Sequence, residues 1–167
     1  MRSMGVRVVP GDPDSLEWAV VDGPQEEPTL IAHESVSAPR DAAEAPALAH
    51  FRKRLALVIE KFKPQALGLR VAERTARPSN KDGPKRRLRI EGVALEVAAS
   101  NGLPATTAAL PDVGPMLKTD RAKPKAYLEK KDLRGLDWSK YCVEAREAIL
   151  VAVAMLTPVR SEESEDA

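Results

Sequence analysis

The sequence predicts an α/β fold: a mixed five-stranded sheet in the order β-β-β-α-β-α-β-α, with helices on its faces. Three observations carry this. Two β-branched runs near the start, Val6–Val9 and Leu16–Val21, flank a turn of Pro10, Gly11, Asp12, Pro13, Asp14 and Ser15. Pro fixes φ, Gly supplies unusual φ, and Asp and Ser bond their own backbone, so this is hairpin chemistry. Further on, segments with apolar residues at spacings of three and four alternate with short apolar runs. Finally, a strand that follows a helix in this way joins the sheet parallel to a strand already there.

The elements follow in order. Both hairpin runs are apolar enough for burial on two faces, which places them centrally in the sheet. Gly23 and Pro24 turn the chain, and residues 29–36 read as a third strand. Helical spacing from about Ala42 to Lys63 stacks Leu48, Phe51, Leu55, Val58 and Phe62 on one face, and Pro64 stops the helix. Gln65–Ala72 is a short apolar strand. A polar, breaker-rich stretch from Glu73 to Lys85 reads as an exposed loop. The next helix runs from about Pro84 to Asn101, with Leu88, Ile90, Val93, Leu95 and Val97 as its apolar set and Gly102 as its stop. Gly92 in its middle costs ~1 kcal/mol against Ala, which close approach to the sheet would offset. Leu103–Leu110 is an edge strand, since Pro104 cannot donate to a ladder. A helical turn or two over Pro111–Leu117 and a basic, loosely patterned stretch from Lys118 to Arg134 precede a last helix over Ser139–Leu156, whose core face is Cys142, Ala145, Ile149, Val153 and Leu156.

Composition narrows the classes. At 167 residues the expectation is one domain, spanning residues 5–157, with a flexible N-terminus at 1–4 and a disordered acidic tail at 158–167. A lone cysteine, Cys142, excludes an internal disulfide and a cysteine-based zinc cluster. His33 and His50 lack metal-ligand spacing and read as structural. No apolar run approaches the ~20 residues that span a bilayer, and Met1–Met4 lacks a signal-peptide core, so no membrane association and a cytoplasmic location are expected.

The net charge of +1 hides an uneven distribution. Arg74, Arg77, Lys81, Lys85, Arg86, Arg87 and Arg89 fall close together with only Asp82 among them in opposition. Phosphate binding wants such a patch, because each neutralised phosphate releases counterions. A solvated charge run is the plainer alternative. Glu144 and Glu147 share one helical face, being three apart, and suit either a site or the start of a solvated helix. Arg70 sits on a strand expected to be buried, where an unpaired Arg is almost never found. It is expected to reach toward Glu144 or Glu147. Trp18 and Trp138 read as core.

This order and these residues resemble the ribonuclease H-like superfamily, and within it the RuvC-type Holliday junction resolvases. That family opens with a strand ending in Asp-Pro-Gly, a short turn and a strand starting Gly-Tyr-Gly-Val. This chain runs Pro10-Gly11-Asp12-Pro13-Asp14-Ser15-Leu16-Glu17-Trp18-Ala19-Val20 over the same length. The family's fourth strand carries a Glu, where this chain reads Gly68-Leu69-Arg70. Its last helix carries Asp-x-x-Asp before small and apolar residues, matched here by Glu144-Ala145-Arg146-Glu147-Ala148-Ile149. The chain is similar, more closely, to a group of short uncharacterised bacterial proteins with an Arg in the fourth strand. The likeness covers roughly residues 5 to 157 and rests on topology and weak motifs.

The resemblance implies a site in which carboxylates of the first strand, fourth strand and last helix hold two Mg²⁺ ions about 3.5–4 Å apart for phosphodiester displacement. Aligned on the hairpin, the first of these positions is Pro10, which has no ligand. The fourth-strand position is Arg70, a permanent cation. Of the family's set, Glu144 and Glu147 alone keep a carboxylate. The leading expectation is a nucleic-acid-binding protein with a degenerate metal site, no cofactor and Arg70 in a salt bridge where metal would sit. A metal-dependent nuclease or resolvase using Mg²⁺ or Mn²⁺ is the alternative, with Glu144, Glu147, Asp12, Asp14 and Glu73 as its candidate catalytic residues. A protein–protein adaptor is the third reading.

Overall fold

The computed structural model describes residues 1–73 and 81–158. Among them, β1 (Arg2–Val9), β2 (Ser15–Asp22), β3 (Thr29–Ser37), β4 (Leu67–Arg70) and β5 (Ala105–Ala108) form one sheet in the order β3-β2-β1-β4-β5. β1, β2 and β3 pair antiparallel, while β4 and β5 join parallel to β1. The sheet is therefore mixed, as expected, with the hairpin central and β5 at an edge. Two helices cover one face: α1 (Glu44–Phe62) and α2 (Asp82–Ser100). The other face carries α3 (Leu110–Met116), α4 (Lys123–Leu128) and α5 (Val143–Ala154), with a small hairpin of β6 (Asp132–Leu133) and β7 (Leu136–Asp137). No described helix is long and apolar enough to cross a membrane.

Alternation along the strands sorts the core. Val6, Val8, Leu16, Trp18, Val20, Leu67 and Leu69 pack against α1 and α2. The intervening positions face α5, and the small ones among them let that helix come close. Ser3 Oγ donates to the Ala152 carbonyl at 2.5 Å. A Cβ on Gly5 would lie 2.8 Å from Ala152 N and closer still to the Ala148 carbonyl, and one on Gly68 would lie 2.8 Å from Val151 Cγ2. Helix α5 thus descends antiparallel to β1, with Ala152 over Ser3, Ala148 over Gly5 and Glu147 reaching Arg7. Because the obstacle at Gly5 is backbone, Gly5→Ala should destabilise the fold by about 3 kcal/mol. Urea denaturation of this variant checks it; an unchanged midpoint would contradict the packing described.

Several expectations are corrected. The N-terminus is not loose, since β1 begins at Arg2 and both Ser3 and Met4 are fully buried. The tail from residue 159 onward lies outside the described residues. In α2 the buried set is Ile90, Glu91, Ala94, Val97 and Ala98, while Leu88 is 68 % exposed. Gly92 does not approach the sheet: nothing lies within 4 Å of where its Cβ would be. With no packing reason for the glycine, Gly92→Ala should raise stability by about 1 kcal/mol. A raised denaturation midpoint is the expected reading, and a lowered one would mean the open space is filled. Cys142 is the exposed N-cap of α5 rather than part of its core.

Candidate functional site

The site lies on the α5 face, where the C-terminal ends of β1 and β4 meet the first turns of α5. Arg7 and Arg70 are direct neighbours in the parallel ladder and point to the same side. Both guanidiniums reach one carboxylate. Arg7 Nε donates to Glu147 Oε2, and Arg70 Nη2 donates to Glu147 Oε1 at 3.3 Å. Arg70 Nη2 also donates to Glu73 Oε1 at 2.5 Å, and its Nη1 to the Val71 carbonyl. Arg70 is 3 % exposed and Glu147 is 7 % exposed. On the other side of Arg7, its ladder partner Glu17 is buried, with Oε2 at 2.7 Å from His33 Nε2. The His33 ring meets Tyr141 edge-on, with centroids 5.0 Å apart. A belt of polar and charged side chains therefore crosses the sheet from His33 through Glu17, Arg7, Glu147 and Arg70 to the exposed Glu73, most buried at Arg70, Glu147 and Glu17.

The predicted residues divide. Arg70, Glu147 and Glu73 converge. Glu73 reaches the cluster because β4 ends at Arg70 and the chain leaves the ladder there, so strand alternation no longer fixes its direction. Glu144, one turn before Glu147, is half-buried, and its carboxylate bonds no described residue. Asp12 and Asp14 do not join. Asp14 sits at the hairpin turn, capping Gly11 N at 2.9 Å and pairing at 3.0 Å with Arg86 of α2 on the opposite face. Asp12 is exposed at the same turn. Pro10 lies past the end of β1, so the first-strand residue beside Arg70 is Arg7. Sequence reading missed Arg7, Glu17 and His33. The period of two through Val6, Arg7 and Val8 carried the signal for Arg7, since an apolar inward pair puts the cation between them on the other face.

The donor set does not fit a divalent-metal pair. Such ions need several oxygens free to coordinate. Here one guanidinium touches both Glu73 and Glu147, and a second holds the other oxygen of Glu147. Among the described residues, no group of three or more His, Cys, Asp or Glu side chains is placed to hold a metal ion.

Burial alone would raise the pKa of Glu73. The bond to its own backbone N–H and the charges of Arg70 and Arg7 outweigh it, so the net shift is downward. A lowered carboxylate pKa adds stability that is present above the unfolded value and lost as pH falls through the folded one. Glu73→Gln should remove that contribution. Wild type and variant should therefore converge in stability as pH falls below the ordinary carboxylate value of 4.5. Thermal melts from pH 7 to pH 3 measure this, and a gap that widens toward acid would contradict it.

The basic stretch is less available than its sequence indicates. Arg74 and Arg77 lie outside the described residues, and Lys81 and Lys85 are exposed. Arg86 pairs with Asp14, Arg87 with Glu91 at 2.6 Å and Arg89 with Glu44 at 2.7 Å. Only Asp82 opposes them locally, but folding brings acids from the hairpin turn and from α1. Glu91 was in view at helical spacing from Arg87.

No protein-family model and no curated protein matches this sequence. Solved structures do. The chain is similar to Thermus thermophilus RuvC, at 19 % identity and a TM-score of 0.72 over 92 % of both chains. It is equally similar to T. thermophilus RuvC in complex with a Holliday junction substrate, at 20 % identity and a TM-score of 0.71 over 92 % of both chains. With the strand order, the crossing of α5 over β1 and β4, and this overlap along nearly the whole chain, the fold is ribonuclease H-like in its RuvC form.

Proposed function

We propose that this protein binds nucleic acid without cleaving it, with Arg7 and Arg70 in place of the carboxylates that would hold metal. The observation that carries the reading is the pair of guanidiniums on Glu147. A two-metal displacement stabilises the attacking and leaving oxygens with divalent ions. A guanidinium offers donors only, so it can neither coordinate a divalent ion nor generate a hydroxide nucleophile from bound water. Nucleic acid as the ligand is supported by the shared fold with a RuvC solved on a Holliday junction. Because the overall charge is near neutral, binding must be local.

The test is fluorescence anisotropy and gel analysis with branched, duplex and single-stranded DNA, in Mg²⁺ and in Mn²⁺. Binding with intact DNA is the expected result. Cleavage abolished by Glu144→Ala with Glu147→Ala would establish a metal nuclease instead. No binding to any of these at low salt would leave a protein–protein adaptor.

A further inference from the structure

We infer that the chain's own acidic segment, Glu162, Glu163, Glu165 and Asp166, seats on a basic face made by Lys118, Lys130, Lys131 and Arg134. This goes beyond the functional reading above and does not depend on it. The segment lies outside the described residues, and its reach follows from where the described chain stops. Gln25 is 1 % exposed, and its Nε2 donates to the Met116 carbonyl at 2.9 Å and to the Leu156 carbonyl at 3.3 Å. Met116 stands two residues before Lys118, and Leu156 two before Pro158, the last described residue. One buried side chain therefore ties the exit of the chain to the start of the basic face. Arg134 completes the corner, donating to the Leu117 carbonyl at 2.9 Å and to the Gln25 carbonyl at 2.8 Å. Its place in the β6–β7 turn brings the strand that follows Lys130 and Lys131 to the same edge.

Charge favours the same pairing. Residues 118–134 hold seven cations against three acids, Asp120, Glu129 and Asp132. Lys118, Lys130 and Lys131 are exposed, and no acid among the described residues pairs with them. Lys130 rests over the Tyr127 ring instead. Residues 159–166 carry four acids against Arg160 alone. Eight extended residues reach about 26 Å, so these acids can pass Lys118 and arrive at Lys130 and Lys131. A single exposed ion pair is weak, but several made at once by a short tether act at an effective concentration on the order of millimolar. An external polyanion must then displace the segment, which sets a threshold of charge density for anything that binds this face.

The test is carbodiimide coupling of carboxylates to lysines in the full chain, read by peptide mass spectrometry, with heparin elution beside it. Glu162, Glu163, Glu165 or Asp166 should link to Lys118, Lys130 or Lys131 within one molecule. The links should disappear at high salt, where the screening length falls to about 3 Å. Glu162→Gln/Glu163→Gln/Glu165→Gln/Asp166→Asn should elute from heparin at higher salt than wild type. In a chain already carrying Lys118→Gln/Lys130→Gln/Lys131→Gln, the same four changes should give a much smaller shift. Links spread evenly to exposed lysines elsewhere, such as Lys53 and Lys85, would overturn the seat. So would links found only between copies in a mixture of ¹⁴N and ¹⁵N protein. An equal heparin shift with and without the three lysines would reduce the effect to bulk charge, against the assignment.

Discussion

Glu147→Ala should destabilise the protein by about 3–5 kcal/mol, the cost of leaving buried charge without its partner. Among the described residues the carboxylate is the one group that bonds both Arg7 and Arg70, and Arg70 is buried. Glu73 would remain for Arg70, but it is half-exposed and screened, and it does not bond Arg7. The Nε of Arg70 is already buried without a described partner, so the guanidinium has no slack in its hydrogen bonding. Replacing the whole triad at once is a different experiment. Arg7→Met, Arg70→Leu and Glu147→Leu together remove the charges along with their need for one another, and should be near neutral or stabilising. Urea denaturation of both variants separates a pair that is costly to break from one that is worth much in itself. A Glu147→Ala change of under 1 kcal/mol would mean that water reaches the cluster.

Arg7→Asp together with Arg70→Glu should have the opposite character: a badly destabilised protein that divalent metal rescues. The two changes set new carboxylates beside Glu147, with Glu73 at the edge and Glu144 one turn away. Without ions, these like charges repel in a largely buried site, and the melting temperature should fall well below wild type. With Mn²⁺, binding to the folded state alone adds RT ln(1 + [L]/Kd), or about 2.7 kcal/mol at a hundredfold excess over Kd. A melting temperature that climbs with Mn²⁺ in the double variant and stays flat in wild type is the expected result. A flat response in both would show that these two strand positions do not face a metal site.

Much of the fold was legible because strand and helix periods are strong over long segments. Helix α1 starts and stops within two residues of the reading, since its stripe is regular and Pro64 ends it. The start of β1 was lost because Arg2 and Ser3 read as part of a polar, flexible end at 1–4, and nothing local showed that Gly5 is where α5 needs the absence of a Cβ. The β6–β7 hairpin was invisible for another reason. Its two loop residues, Arg134 and Gly135, both sit at positive φ, yet Arg stands where Asn or Asp would give the signal. Arg134 is held there by donating to the Gln25 and Leu117 carbonyls, which local sequence does not reveal.

The site was half legible. Arg70 stood out as a cation on an apolar strand, and in the fold its Nη2 donates to Glu147 Oε1. Arg7 did not, because anchoring on the turn put Pro10 in the first-strand position. The ladder puts Arg7 opposite Arg70. The charge on α2 was over-read for the same reason in reverse: partners such as Asp14 and Glu44 are remote in sequence and near in space.

Under the proposed function, the guanidiniums of Arg7 and Arg70 stand where a metal site would need carboxylates. Calorimetric titration of Mn²⁺ into the wild-type protein tests it most directly. The expected trace is weak and non-saturating, no different from that of Glu144→Ala with Glu147→Ala. A saturable site that those two substitutions remove would contradict this and favour the metal-dependent nuclease reading.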